Sequence, residues 1–254
     1  MDIVLRDNLP AGVSHEQRLR IARQLASRIV AHHGPAVAAI AIYGTTSIGA
    51  DGPYSDLDMT VVTYPDIGQE TKCYTCDGLT INLDYQTIEE SMEEARDPNE
   101  GGPWMTVQVL YDPQGTIEQF RQTWRALTAD DCRKQFVRYM RDLLITGIGK
   151  IRNAAIAGDR ATMLHAAYGL AHDSCRALCM LNDKTYVTGS ASLFRETRKL
   201  KLLPASFVQL IDVVSGAAPA SEQEIYDAAE SLWAGMRRLA EQQGLQWLST
   251  EMQI

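Results

Sequence analysis

Apolar residues recur with two periods along this chain, and the period changes near Thr128. After the cap signal Ser14-His15-Glu16-Gln17, Leu19, Ile21, Ala22, Leu25, Ile29 and Val30 follow helical spacing. Gly34-Pro35 stops that helix. Val37–Tyr43 is a continuous apolar run that predicts a buried strand, closed by Gly44. The stretch from Thr45 to Ser55 is small and polar, with Asp51-Gly52-Pro53 as a turn signal, and a second strand is predicted over Asp56–Val62. Lys72–Cys76 and Leu79–Tyr85 predict a hairpin around Asp77-Gly78. A helix over Thr87–Ala95, a strand over Met105–Tyr111 and a helix over Thr116–Leu127 complete this half.

Beyond Thr128 the spacing is helical throughout: Asp130–Ala157, Arg160–Leu181, Ser190–Leu202, Ala205–Ser215 and Glu222–Gln243. Gly158-Asp159, Pro204 and Gly216–Pro219 separate these segments. The expectation is an α+β domain over residues 1–128 followed by an all-helical domain over 129–254. No internal repeat is visible.

Composition narrows the class. The 254 residues are 45% hydrophobic and 22% charged, which excludes a fibrous or intrinsically disordered chain. No uncharged apolar stretch reaches the ~20 residues of a membrane helix, and the start carries no signal-peptide pattern. Five cysteines, an odd number, fit a reducing compartment, so a cytoplasmic protein is expected. The net charge of −8 argues against a nucleic-acid partner. That charge is uneven: residues 1–128 hold 18 acidic and 9 basic side chains, and residues 129–254 hold 14 and 15. Between Val30 and Phe120, 15 carboxylates face Lys72 and Arg96 alone. Such a segment is either a solvated acidic face or the lining of a cleft for cations.

Asp56 and Asp58 stand two apart at the start of a strand, so both carboxylates leave one face. Paired carboxylates repel unless a cation lies between them, and hard oxygen ligands suit Mg²⁺. Upstream, Gly44-Thr45 opens a turn or helix whose free N–H groups and hydroxyls can receive phosphate. Asp84, in Ile81-Asn82-Leu83-Asp84-Tyr85, alternates with Leu83 and is the candidate third carboxylate. Cys73-x-x-Cys76 lacks a second ligand pair. His165, His172, Cys175 and Cys179 share a helical stripe but span 14 residues, roughly 21 Å at 1.5 Å per residue, too far to meet on one ion.

The Gly-Thr turn, a spacer and Asp-x-Asp opening a strand resemble the nucleotidyltransferase motif of the polymerase-beta-like superfamily. Gly52-Pro53-Tyr54-Ser55-Asp56-Leu57-Asp58-Met59, Gly149-Lys150-Ile151-Arg152-Asn153 and Ser190-Ala191-Ser192-Leu193 follow in order. Together they resemble the kanamycin nucleotidyltransferase family, the aminoglycoside 4′-O-nucleotidyltransferases, over nearly the whole chain. The resemblance implies a mixed-sheet nucleotidyltransferase domain before a helical bundle. It implies transfer of AMP from Mg²⁺–ATP, or another nucleoside triphosphate, to an aminoglycoside hydroxyl with release of pyrophosphate. It also implies a homodimer.

Carried over, Asp56, Asp58 and Asp84 become metal ligands. Gly44, Thr45, Ser55, Lys150, Thr188 and Ser190 become nucleotide contacts, and Lys150 offsets charge at the α-phosphate. The family's known member has a Glu that serves as general base where this chain has Thr146, so Asp84, with Asp142 in reserve, is the expected proton acceptor. Ile48 stands where the family has a basic residue. Two other readings keep the fold but change the role: a protein acceptor, or a binding partner in a toxin–antitoxin pair.

Overall fold

A computed structural model describes residues 11–64, 67, 71–182 and 190–248. Contacts divide the chain into two units, Met1–Leu127 and Thr128–Ile254. Among the described residues no helix is long and apolar enough to cross a membrane.

The first unit is built on a five-stranded mixed sheet. In chain order it comprises α1 (His15–His33), β1 (Val37–Tyr43), a one-turn α2 (Gly44–Ser47), β2 (Leu57–Thr63), β3 (Lys72–Cys76), β4 (Leu79–Thr87), α3 (Ile88–Ala95), β5 (Gln108–Tyr111) and α4 (Thr116–Ala126). The strand order is β3-β4-β2-β1-β5. Among the described residues only β2 and β4 pair in parallel, and the connection between them passes through the edge strand β3. The hairpin turns where expected: Asp77 and Gly78 both have positive φ (50° and 79°), as a tight two-residue turn demands. A Cβ on Gly78 would lie 2.8 Å from the Ala11 backbone nitrogen, so the position requires glycine.

Alternation along the strands separates the two faces. Leu57, Met59, Val61, Ile81 and Leu83, with Ile40 and Ile42, pack against Ala22, Ala26 and Ile29 of α1. The other face presents Ala39, Ala41 and Val62 to Trp104, Ile117 and Phe120. The functional side chains of β2 and β4 rise from this second face.

The strand predicted over Met105–Tyr111 is shorter than expected. Residues Gly102–Met105 instead form a 3-10 turn, with Pro103 near its start. Arg121 of α4 donates to the carbonyls of Trp104 (3.0 Å) and Val107 (3.1 Å) and so ties this segment to α4.

The second unit contains α5 (Ala129–Arg138), α6 (Ile145–Ala157), α7 (Arg160–Leu181), α8 (Ser190–Thr197), α9 (Phe207–Val214) and α10 (Glu222–Gln242). Its core centres on α7, from Met163 to Met180, with Phe136, Ile148, Ile151, Leu232 and Met236. Three reciprocal capping boxes, at Thr87/Glu90, Thr128/Asp131 and Ser221/Glu224, start α3, α5 and α10. The single helix expected over Asp130–Ala157 is interrupted by a wide π-turn at Tyr139–Leu144, which seats Tyr139, Met140 and Leu144 in the core. Such turns are frequent at functional sites, and this one carries Asp142. The pair Arg152–Glu230, at 2.6 and 2.8 Å, ties α6 to α10, which gives Arg152 a structural role.

Candidate active site

Asp58 stands on β2 opposite Tyr43 of β1 and Asn82 of β4. Asp56 lies one residue before the strand. The Asn82 amide donates to Asp56 at 3.1 Å and to Asp58 at 2.8 Å, bridging the two carboxylates. Burial pushes the Asp58 carboxyl above its ordinary range, the Asn82 hydrogen bond opposes this, and the Asp56 charge raises it further. A half-buried carboxylate beside a second one favours a cation.

Gly44, with φ of 71°, lies against this pair. An ideal Cβ there would sit 2.9 Å from Asp58 Oδ2, so the missing side chain is what keeps that oxygen open. Two hard oxygen donors at an open edge fit a magnesium ion.

The expected phosphate turn is held by its own bonds. The Ser47 hydroxyl donates to the Gly44 carbonyl (2.8 Å), and the buried Thr46 hydroxyl donates to the Asp56 carbonyl (3.4 Å). Thr45, half-buried, follows Gly44 in α2. Ser55, an expected nucleotide contact, uses its hydroxyl to accept from the Gly52 N–H at 3.0 Å and so closes the turn before Asp56.

That turn rests on a buried ion pair the sequence did not signal. Arg18 of α1 is fully buried and donates to Asp51, whose side chain is 1% exposed. Its other terminal nitrogen faces the carbonyls of Val13 (3.2 Å), Gly52 (3.3 Å), Pro53 (3.4 Å) and Ser55 (2.9 Å). His15 completes the cluster at 2.7 Å from Asp51.

Asp84 is on the expected face but one step away. It pairs with Thr60, while Asn82 pairs with Asp58. The two-residue offset is roughly 6–7 Å along the strand. Asp84 accepts from the Thr71 hydroxyl at 2.5 Å and the Gln86 amide at 3.1 Å. Among the described residues no three His, Cys, Asp or Glu side chains form a metal cluster. The structure therefore brings together Asp56, Asp58 and Asn82, and sets Asp84 beside a neighbouring cavity.

That cavity encloses about 140 Å³ and is lined by Tyr43, Thr60, Asp84, Gln86, Glu94 and Trp104, among others. Glu94 is pushed up to about 7, first by burial and then by Glu100 and Asp84, against weaker hydrogen bonds from Gln86 and Trp104. The Tyr43 phenol is raised well above its ordinary value by burial and by Asp58, Asp84, Asp56 and Glu94. One tyrosine thus senses all four carboxylates.

The Glu94 shift carries a stability consequence. A carboxyl raised in the folded state stabilises that state below about pH 4.5, and the contribution fades as pH rises towards 7. Glu94→Gln is expected to raise unfolding stability relative to wild type at pH 8 by about 1 kcal/mol, after allowance for solvent screening, and not at pH 4. Urea unfolding at the two pH values measures it. An equal effect at both would refute the burial account.

In the second unit a cavity of about 170 Å³ is lined by Asp142, Thr146, Gly147, Lys150, His165 and Asp173, among others. Asp142, Thr146 and Lys150 follow one helical stripe across the π-turn. Arg141 holds the Asp142 carboxyl below its ordinary range through a 2.8 Å bond, which weakens it as a proton acceptor. The Thr146 hydroxyl turns back to the Asp142 carbonyl at 3.0 Å. Burial pushes Cys175 up to about 12 and Cys179 up to about 11, so both are core thiols. Thr188 lies outside the described residues, and of Ser190 only its place at the start of α8 is described.

Residues 114–246 match the family described as KNTase C-terminal domain. Two proteins named aminoglycoside nucleotidyltransferase (4′), from Staphylococcus aureus and a Bacillus species, are each 24% identical to this chain over 242 residues. The alignments cover 93% of this chain and 95% of each relative. A solved nucleotidyltransferase-like protein from Exiguobacterium sibiricum 255-15 superposes with a TM-score of 0.52. That match covers 87% of this chain and 75% of the other at 12% identity, and supports the fold.

Proposed function

The chain belongs to the KNTase C-terminal domain family and is a nucleotidyltransferase; on that premise we propose that it transfers AMP from Mg²⁺–ATP to the 4′-hydroxyl of an aminoglycoside. The observation that carries the proposal is the Asp56/Asp58 pair, bridged by Asn82 and kept open by Gly44. Asp56 and Asp58 would hold the magnesium ion. When bound, that ion supplies Lewis acidity at the phosphoryl oxygens and offsets triphosphate charge.

The chain's own groups do the rest. The α2 turn from Gly44 to Ser47 orients the nucleotide, and Lys150 supplies a counter-charge to the phosphates. Asp84 takes the proton of the acceptor hydroxyl; Asp142, paired with Arg141, is the poorer base. The hydroxyl oxygen forms a bond to the α-phosphorus as the bond to pyrophosphate breaks. A homodimer belongs to the same proposal.

The acidic first half suits a polycationic acceptor. Each ammonium–carboxylate contact near 4 Å contributes up to about 4 kcal/mol at an effective dielectric of 20, before desolvation.

The test is pyrophosphate release from Mg²⁺–ATP with and without kanamycin or tobramycin, with the drug examined by mass spectrometry. The expected result is drug-dependent release and an adenylylated product. Release without a modified drug, or no release with any aminoglycoside, removes the acceptor assignment and points to a protein acceptor or a binding role.

A further inference from the structure

We propose that the cavity between β2, β4 and α3 binds one ammonium group of the acceptor, with Glu94 as its main carboxylate and the Thr60 hydroxyl as a second ligand. This rests on the aminoglycoside reading above and names a subsite within it.

Four observations support it. Thr60 is 5% exposed and lines the cavity, and its Oγ1 is buried without a hydrogen-bond partner. A buried hydroxyl left unpaired is costly, and an ammonium donor would satisfy it. Glu94 sits in the last turn of α3, the end of a helix whose carbonyls favour a cation. Asp84 adds a second negative charge, and the lining contains neither Lys nor Arg.

The remaining walls select the kind of cation. Tyr43 and Trp104 present aromatic surface, which suits an alkylammonium better than a strongly hydrated metal ion. The volume of about 140 Å³ admits an amino group with its attached carbon. Without a cation, burial and the neighbouring charges hold Glu94 partly protonated, and an arriving ammonium restores its charge.

The test compares wild type with Glu94→Gln, and with Thr60→Val as a second variant. Steady-state kinetics would use kanamycin, tobramycin and congeners that each have a single amino group acetylated. Glu94→Gln is expected to raise KM for the aminoglycoside about tenfold, with the loss falling on KM rather than kcat and the KM for ATP unchanged. For one acetylated congener, wild type and variant should show the same KM, which identifies the amine. Equal KM values for every aminoglycoside, or a loss confined to ATP, would overturn the subsite. Should wild type transfer nothing to any aminoglycoside, the functional reading fails, and calorimetric binding of tobramycin to both proteins decides the subsite separately. Tenfold weaker binding to Glu94→Gln supports it. Equal binding, or none, overturns it.

Discussion

Asp58→Asn is expected to lower nucleotidyl transfer about a thousandfold or more while leaving the fold intact. The substitution preserves shape and removes one charge. In the structure that charge is unwelcome to the protein itself, because burial and Asp56 both push the Asp58 carboxyl up. A cation bound during function would offset it. A neutral amide at position 58 would weaken the hold on magnesium, and with it the charge stabilisation of the transferring phosphoryl group. A thousandfold loss corresponds to about 4 kcal/mol of transition-state stabilisation.

The thermal midpoint should stay level or rise slightly, since a half-buried charge has gone. This combination separates a metal-holding carboxylate from a structural one. A structural Asp58 would lose stability and activity together, because the hydrogen bond from Asn82 is weaker to a neutral amide oxygen than to a carboxylate. Full activity in Asp58→Asn would remove the metal-holding assignment. An inactive variant that melts well below wild type would mean that the carboxylate serves the fold first.

The features visible in the sequence share one property: their signal is local. Asp77-Gly78 marks its turn because positive φ at both residues restricts the choice of side chain. The Asp-x-Asp pair and the Gly44-Thr45 turn could be read because spacing along one strand fixes which side chains share a face. The same alternation placed Asp84 on the correct face, since Leu79, Ile81 and Leu83 point to α1 while Asn82 and Asp84 point away.

Register was not legible. Whether Asn82 or Asp84 lies opposite Asp58 depends on how β2 and β4 align across a long connection, and a two-residue slip preserves every face. The pattern Asn82-x-Asp84-x-Gln86 was the available hint that more than one polar side chain rises beside the pair. The shortened β5 was hidden for a similar reason, because the Arg121 bonds to the Trp104 and Val107 carbonyls come from a distant helix. Glu94 and Thr60 gave no sign at all. One looked like a surface glutamate on an acidic helix and the other like a strand threonine, and only the tertiary fold makes them neighbours.

Arg18 is the clearest case of a residue whose importance is purely tertiary, and Arg18→Met is expected to destabilise the first unit by about 3–5 kcal/mol. On helical spacing it reads as one more charge of α1. In the fold it is fully buried, its partner Asp51 is 1% exposed, and four backbone carbonyls converge on its guanidinium. Removing the cation strands a buried carboxylate and leaves those carbonyls without their donor, which is the costly way to break a buried pair. Arg18→Lys should recover little, because a single ammonium cannot span Asp51 and the carbonyls from Val13 to Ser55.

Arg18→Met combined with Asp51→Leu should recover more than half of the loss, since no charge is then left uncompensated. Urea unfolding of the three variants measures this ladder. A loss below about 1 kcal/mol for Arg18→Met would mean that solvent reaches the pair and that the cluster holds nothing in place. The ladder also has a functional rung. Three of the four carbonyls that Arg18 gathers, those of Gly52, Pro53 and Ser55, belong to the turn that ends at Ser55, one residue before Asp56. At a temperature where the double variant stays folded, its turnover should therefore fall below its stability-matched controls. A chain that recovers its stability without Arg18 has regained the cost of the buried charge, and has not regained the clamp that sets where Asp56 stands.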